Sequence, residues 1–139
     1  MSTEDNKSLA HRWVDAWNTN TNGEVLEQIF APDWKNRNPL PGITEGIEGV
    51  RHFVKANRAA FSEIQMTIDL LLAEGEMVMF RWITSGIHTG EFLGIAPTGK
   101  QVTYSGMTVH RVENGKFAET VTEFDLHSLL RQLGALPAL

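Results

Sequence analysis

The chain has 139 residues, 42% of them apolar and 21% charged, the composition of one ordinary globular domain built on a single core. Its net charge of −5, with no Lys/Arg cluster, excludes a phosphate-binding nucleic-acid surface. No cysteine is present, which excludes disulfides, thiolate nucleophiles and thiolate metal sites together and fits a cytoplasmic protein. The polar, acidic opening MSTEDNKSLAHRW does not read as a secretory signal, and no apolar run approaches the length of a membrane span.

The first helix is expected from Glu4 to Asn18. Ser2 or Thr3 is placed to cap it, and Leu9, Trp13, Ala16 and Trp17 form one apolar stripe. A polar break over Asn18 to Gly23 leads to a short helix from Glu24 to Phe30. Pro32 to Gly46 reads as irregular or briefly extended, because Pro39, Pro41, Gly42 and Gly46 punctuate it. A third helix is expected from Ile47 to Phe61.

The period then changes from helical to alternating. Ile64 to Leu70 and Met77 to Ile87 read as strands joined by a turn at Glu74-Gly75, and Thr89 to Lys100 reads as a loop. Asn114-Gly115 between two alternating runs is a type I′ hairpin signal, since both residues accept positive φ. A two-residue loop pairs His110 with Glu119, Gly106 with Glu123 and Tyr104 with Asp125. It places His110, Glu119, Glu123, Asp125 and Tyr104 on one face, a register that any β-bulge would move. Leu126 to Leu133 closes the order as a helix, with Gly134 ending it and Pro137 preventing its extension. Three helices, four antiparallel strands and a final helix make an α+β domain spanning residues 1–139, with a curved sheet around the N-terminal helices and an apolar concavity between them.

Each titratable residue has a structural and a chemical reading. Asp125 precedes an apolar helix, where Asp is a preferred N-cap, and it also stands where an acid/base carboxylate would face a pocket; one oxygen can serve each role. His110 is either a proton-transfer partner or a core histidine satisfied by Glu119. Glu123, near a strand end, either faces water or joins the site. Most tryptophans belong to the core, with Trp34 and Trp17 the best candidates for a pocket wall. His11, His52, His88 and His127 lack metal-ligand spacing, so no metal is expected.

The element order, together with Asp33-Trp34, Asn38-Pro39-Leu40-Pro41-Gly42, His88-Thr89-Gly90-Glu91-Phe92-Leu93-Gly94, Pro97-Thr98-Gly99-Lys100, Gly115-Lys116, Glu119 and Asp125, resembles the SnoaL-like polyketide cyclase (ester cyclase) family. That family lies within the nuclear-transport-factor-2-like (NTF2-like) cone fold, and the resemblance runs from Ala10-His11-Arg12-Trp13 to Gln132-Leu133-Gly134. It implies a cofactor-independent intramolecular aldol closure of a polyketide ester, with Asp125 as the acid/base carboxylate. Two positions depart from the family pattern: Asn36-Arg37-Asn38, where a His often stands, and Thr120-Val121, where His-Trp often stands.

The expected function is therefore acid/base catalysis on a small hydrophobic, polycyclic carbonyl compound. Asp125 would take the proton and His110, with Tyr104 or Arg37, would stabilise the enolate. Trp34, Trp17, Asn38 and Glu123 would line the substrate site. Alternatives are another lyase, isomerase or epoxide hydrolase of the same fold, or a non-catalytic ligand-binding module. A homodimer is expected over the outer sheet face, where Met107, Val109, Ala118 and Phe124 are expected to project.

Overall fold

The computed structural model describes residues 2–19, 24–39 and 45–136. Asn20 to Gly23 of the polar break, Leu40 to Gly42 of the proline-rich segment and Pro137 lie outside the described residues. The elements are α1 (Thr3–Thr19), α2 (Val25–Ile29), β1 (Phe30–Asn36), α3 (Gly46–Ala60), β2 (Phe61–Glu74), β3 (Met77–His88), β4 (Gln101–Glu113), β5 (Lys116–Phe124) and α4 (Leu126–Gln132). β1 is an addition to the four strands that alternation predicts. The five form one sheet in the order β1-β5-β4-β3-β2, antiparallel except for the β1–β5 pair.

Ser2 caps α1 reciprocally: the Asp5 amide donates to Ser2 Oγ at 3.0 Å and the Ser2 amide donates to the Asp5 carboxylate at 3.1 Å. That amide contact holds the Asp5 carboxyl below its ordinary range. The predicted stripe of α1 is buried, and Trp13 meets Phe30 of β1 edge-on at 5.1 Å between ring centroids. Asn18 ties the far end of α1 to β2, its side-chain amide donating to the Met66 carbonyl at 2.8 Å and its oxygen accepting the Met66 amide at 2.7 Å. No helix among the described residues is long and apolar enough to cross a membrane.

The hairpin turn forms at Asn114-Gly115, with φ of 51° and 77°, and Val112 pairs with Phe117 as expected. One residue later the register shifts. Arg111, not His110, pairs with Glu119; His110 pairs with Thr120, Thr108 with Thr122 and Gly106 with Phe124. Ala118 is the extra residue of a β-bulge, and both Phe117 and Ala118 are buried. The shared face expected for His110, Glu119 and Glu123 is thereby corrected. Thr120, Thr122 and Phe124 turn to the concave side with His110, and Glu119 turns outward to Arg111 and Arg37 at 3.5 and 3.0 Å. The physical reason is the cost of burying two carboxylates in an apolar interior without partners. Phe124 and Ala118 consequently leave the outer face, where Met107 remains exposed and Val109 half-buried.

Gly106 is required by packing. A Cβ there would lie 2.4 Å from Trp82 Cζ2 and 2.6 Å from Phe124 Cβ, so its hydrogen is what lets the indole lie across β4. Gly106→Ala is expected to destabilise the protein by about 3 kcal/mol through overpacking. Urea unfolding followed by tryptophan fluorescence checks this, and an unchanged midpoint would contradict it.

Candidate active site

A cavity of about 350 Å³ is lined by residues of the concave sheet face, α1, α3, α4 and the loop after β3. That volume suits a small organic molecule. Its walls are mainly aromatic, with Trp17 from α1, Phe53 from α3, Trp82 from β3, Phe92 from the loop and Phe124 from β5. Trp17 and Phe53 stand 5.7 Å apart between ring centroids, and Trp82 and Phe124 6.3 Å apart.

Two indole-to-hydroxyl chains cross the β4–β5 wall. In the first, Trp34 Nε1–H donates to Thr120 Oγ1 at 2.8 Å, and that hydroxyl lies 2.6 Å from His110 Nδ1. Trp34 fills one lone pair of Thr120, and the hydroxyl meets Nδ1 with its hydrogen or its second lone pair according to the imidazole tautomer. In the second, Trp82 Nε1–H donates to Thr108 Oγ1 at 2.9 Å, and Thr108 lies 3.0 Å from Thr122 Oγ1. Thr108 keeps a hydrogen and a second lone pair beside the one Trp82 fills, so either threonine hydroxyl can donate to the other. Both chains depend on the shifted register, which sets Thr120 opposite His110 and Thr122 opposite Thr108.

His110 is 1% exposed and stacks on Phe117, with ring centroids 3.6 Å apart and an interplanar angle of 8°. Burial lowers its pKa to about 3, so the ring is neutral at ordinary pH. Its Nε2 has no hydrogen-bond partner among the described residues. Burial likewise raises the Tyr104 phenol above its ordinary value and keeps it protonated.

Of the residues expected at the site, Trp17, Trp34, Asn38, Tyr104, His110 and Glu123 all line the cavity. The Asn38 side chain brackets the Thr122 backbone, accepting its amide at 3.1 Å and donating to its carbonyl, beyond the end of β1. Glu123 is exposed at the rim, with Oε1 3.5 Å from Asn38 Nδ2. Arg37 is not part of the cavity: its guanidinium pairs with Glu119 on the outer side. Asp125 is the N-cap of α4, accepting the Ser128 amide through Oδ1 at 2.9 Å, and it is not among the cavity-lining residues. Sequence reasoning missed Thr84, Thr108, Thr120 and Thr122. The signal of Thr120 and Thr122, two apart on β5, becomes legible only once the bulge is placed.

The family model for SnoaL-like polyketide cyclase matches residues 7–133. The chain is 34% identical over 125 residues to the nogalonic acid methyl ester cyclase of Streptomyces nogalater, covering 87% of this chain and 91% of that protein. It is 30% identical over 135 residues to the aklanonic acid methyl ester cyclase AcmA of Streptomyces galilaeus, covering 91% and 89%. The structure of TsrD from Streptomyces laurentii superposes with a TM-score of 0.90 at 29% identity, covering 98% of this chain and 99% of that one. With the NTF2-like cone of its structural relatives, this cavity and a match from residue 7 to 133, the chain belongs to the SnoaL-like polyketide cyclase family.

Proposed function

We propose that this protein closes a ring in a hydrophobic polyketide-type ester by intramolecular aldol addition, without a bound cofactor. The observation that carries the reading is the pair of indole-anchored chains, which bring His110 and Thr122 to the wall of an aromatic cavity.

In this reading the carbon α to a carbonyl loses its proton to the Glu123 carboxylate at the rim, and the enolate oxygen takes hydrogen bonds from His110 and Thr122. Fixed donors aimed at developing charge in a low-dielectric site supply much of such catalysis. The α-carbon then bonds to a second carbonyl carbon of the same molecule. Glu123 returns the proton to the new alkoxide, so substrate and product are isomers. A neutral His110 acts as a hydrogen-bond donor and transfers no proton. The family resemblance implies Asp125 as the carboxylate; the geometry supports Glu123, because Asp125 holds the first turn of α4. The reading includes a homodimer over the outer face, where Leu72, Met79 and Met107 are exposed.

The test is incubation with the substrates named for the two relatives, nogalonic and aklanonic acid methyl esters. The expected product has unchanged mass and one more ring, with no oxygen-18 taken from labelled water. Glu123→Gln should slow the reaction by about 10²–10⁴-fold, and Thr122→Val by about 10²-fold. Asp125→Asn should keep both turnover and stability, since Asn caps as well as Asp. Ligand recovered unchanged would make the protein a binding module, and oxygen-18 in the product would make it a hydrolase.

His110 also sets a pH dependence. Its pKa is about 3 in the folded protein and about 6.5 in an unfolded chain. Below pH 6.5 the unfolded state therefore binds more protons, and stability falls as pH falls towards 3. Between pH 6.5 and 4.5 the wild type should lose roughly 2 kcal/mol more than His110→Phe. Equal losses in urea unfolding at the two pH values would contradict this.

A further inference from the structure

β1 pairs with β5 only as far as Asn36, which stands opposite Thr120. The Arg37 amide adds a last backbone bond, to the Thr120 carbonyl at 2.9 Å. The next β5 residue on that side, Thr122, meets a side chain in place of a strand. Asn38 Oδ1 accepts the Thr122 amide at 3.1 Å and Asn38 Nδ2 donates to the Thr122 carbonyl. The carboxamide thus supplies the two bonds that a longer β1 would have made. Asn38 is itself held by its own amide, which donates to Asn36 Oδ1 at 3.2 Å.

Asn38 Nδ2 also lies 3.5 Å from Glu123 Oε1. Successive side chains of a strand point to opposite faces. Thr122 turns inward, so Glu123, paired with Met107, starts outward. Among the described residues its carboxylate has one hydrogen-bond contact, Asn38 Nδ2, and this draws it to the rim of the cavity. An Asn side chain has two N–H donors. The Thr122 carbonyl and the Glu123 carboxylate take up both, which leaves no donor for a bound molecule although Asn38 lines the cavity.

We propose, resting on the ring-closing reading for the roles of Thr122 and Glu123, that Asn38 is the positioning residue of the site. It acts through β5 and makes no hydrogen bond to substrate. Its carboxamide holds the Thr122 backbone as a strand would, and so sets where the Thr122 hydroxyl meets the cavity. Its second N–H turns the next carboxylate, Glu123, from the outer face towards the same space. Hydroxyl donor and carboxylate base thereby keep a fixed spacing although they sit on consecutive residues of one strand.

The test is NMR of the ligand-free protein beside Asn38→Ala and Asn38→Asp, followed by turnover of nogalonic and aklanonic acid methyl esters. In Asn38→Ala the Thr122 amide should exchange with solvent on the order of tenfold faster, while the β4 amides keep their protection. Asn38→Asp keeps an oxygen for the Thr122 amide and loses the donor, so Thr122 should stay protected. In both variants the χ1 couplings of Glu123 should pass from those of one rotamer to an average over several. Both should lower kcat by on the order of tenfold and leave KM within about twofold, as displaced reacting groups with intact substrate contacts require. Unchanged Thr122 exchange in Asn38→Ala, or unchanged Glu123 couplings in both variants, overturns the proposal. So does a raised KM at unchanged kcat, which would make Asn38 a substrate contact, and so do wild-type values of both constants, which would make it a structural tie. The exchange and coupling readouts need no turnover. If they come out as expected in a protein that closes no ring, Asn38 still places Thr122 and Glu123, and the ring-closing reading alone is overturned.

Discussion

The bulge at Ala118 is the constraint on which the site depends. A regular hairpin from Asn114-Gly115 would carry Glu119 and Glu123 to the concave face with His110, leaving two carboxylates in an apolar interior. One extra residue exchanges the faces of β5 from Glu119 onward. Glu119 leaves and gains two arginines, Glu123 moves to the exposed rim, and Thr120, Thr122 and Phe124 enter. The polarity of the cavity, neutral hydroxyls and an imidazole inside with the one carboxylate of its lining, Glu123, held at the rim, follows from that single insertion.

Neutrality has a chemical consequence. A buried carboxylate would repel an enolate, whereas hydroxyl and N–H donors strengthen as negative charge develops on the oxygen they face. The indoles of Trp34 and Trp82 each fill one lone pair of a threonine and so fix the Thr120 and Thr108 hydroxyls in the wall. Trp82 can lie across β4 only because Gly106 presents no Cβ to it. Packing, hydrogen-bond direction and chemistry are therefore linked through a few positions on β3, β4 and β5.

Much of this arrangement is legible in the sequence, and the rest is hidden for identifiable reasons. The helices announce themselves by apolar spacing and the hairpin by Asn114-Gly115, whose positive φ values bear out the turn. β1 carries weak signals. Pro32 and Asp33 interrupt its alternation, and its parallel partner β5 lies some eighty residues away, with no hairpin turn to join them. The bulge has a trace in the apolar doublet Phe117-Ala118, which an alternating strand would not bury on one side. Trp17, Trp34, Tyr104, His110 and Glu123, found in the cavity lining, are legible because they are aromatic or titratable, and Asn38 because it opens the Asn38-Pro39-Leu40-Pro41-Gly42 motif. The threonines do not, since Thr in a strand reads as ordinary β propensity. Arg37 and Asp125 lie where local rules place them, one in a surface ion pair and the other at a helix cap.

The measurement that tests the account most directly is the nitrogen-15 NMR titration of the His110 ring between pH 8 and pH 5. A neutral imidazole with its proton on Nε2 and Nδ1 accepting from Thr120 should give shifts that stay constant across the range. Titration near the ordinary histidine value, or a proton on Nδ1, would contradict the assignment of His110 as a fixed neutral donor in the cavity wall.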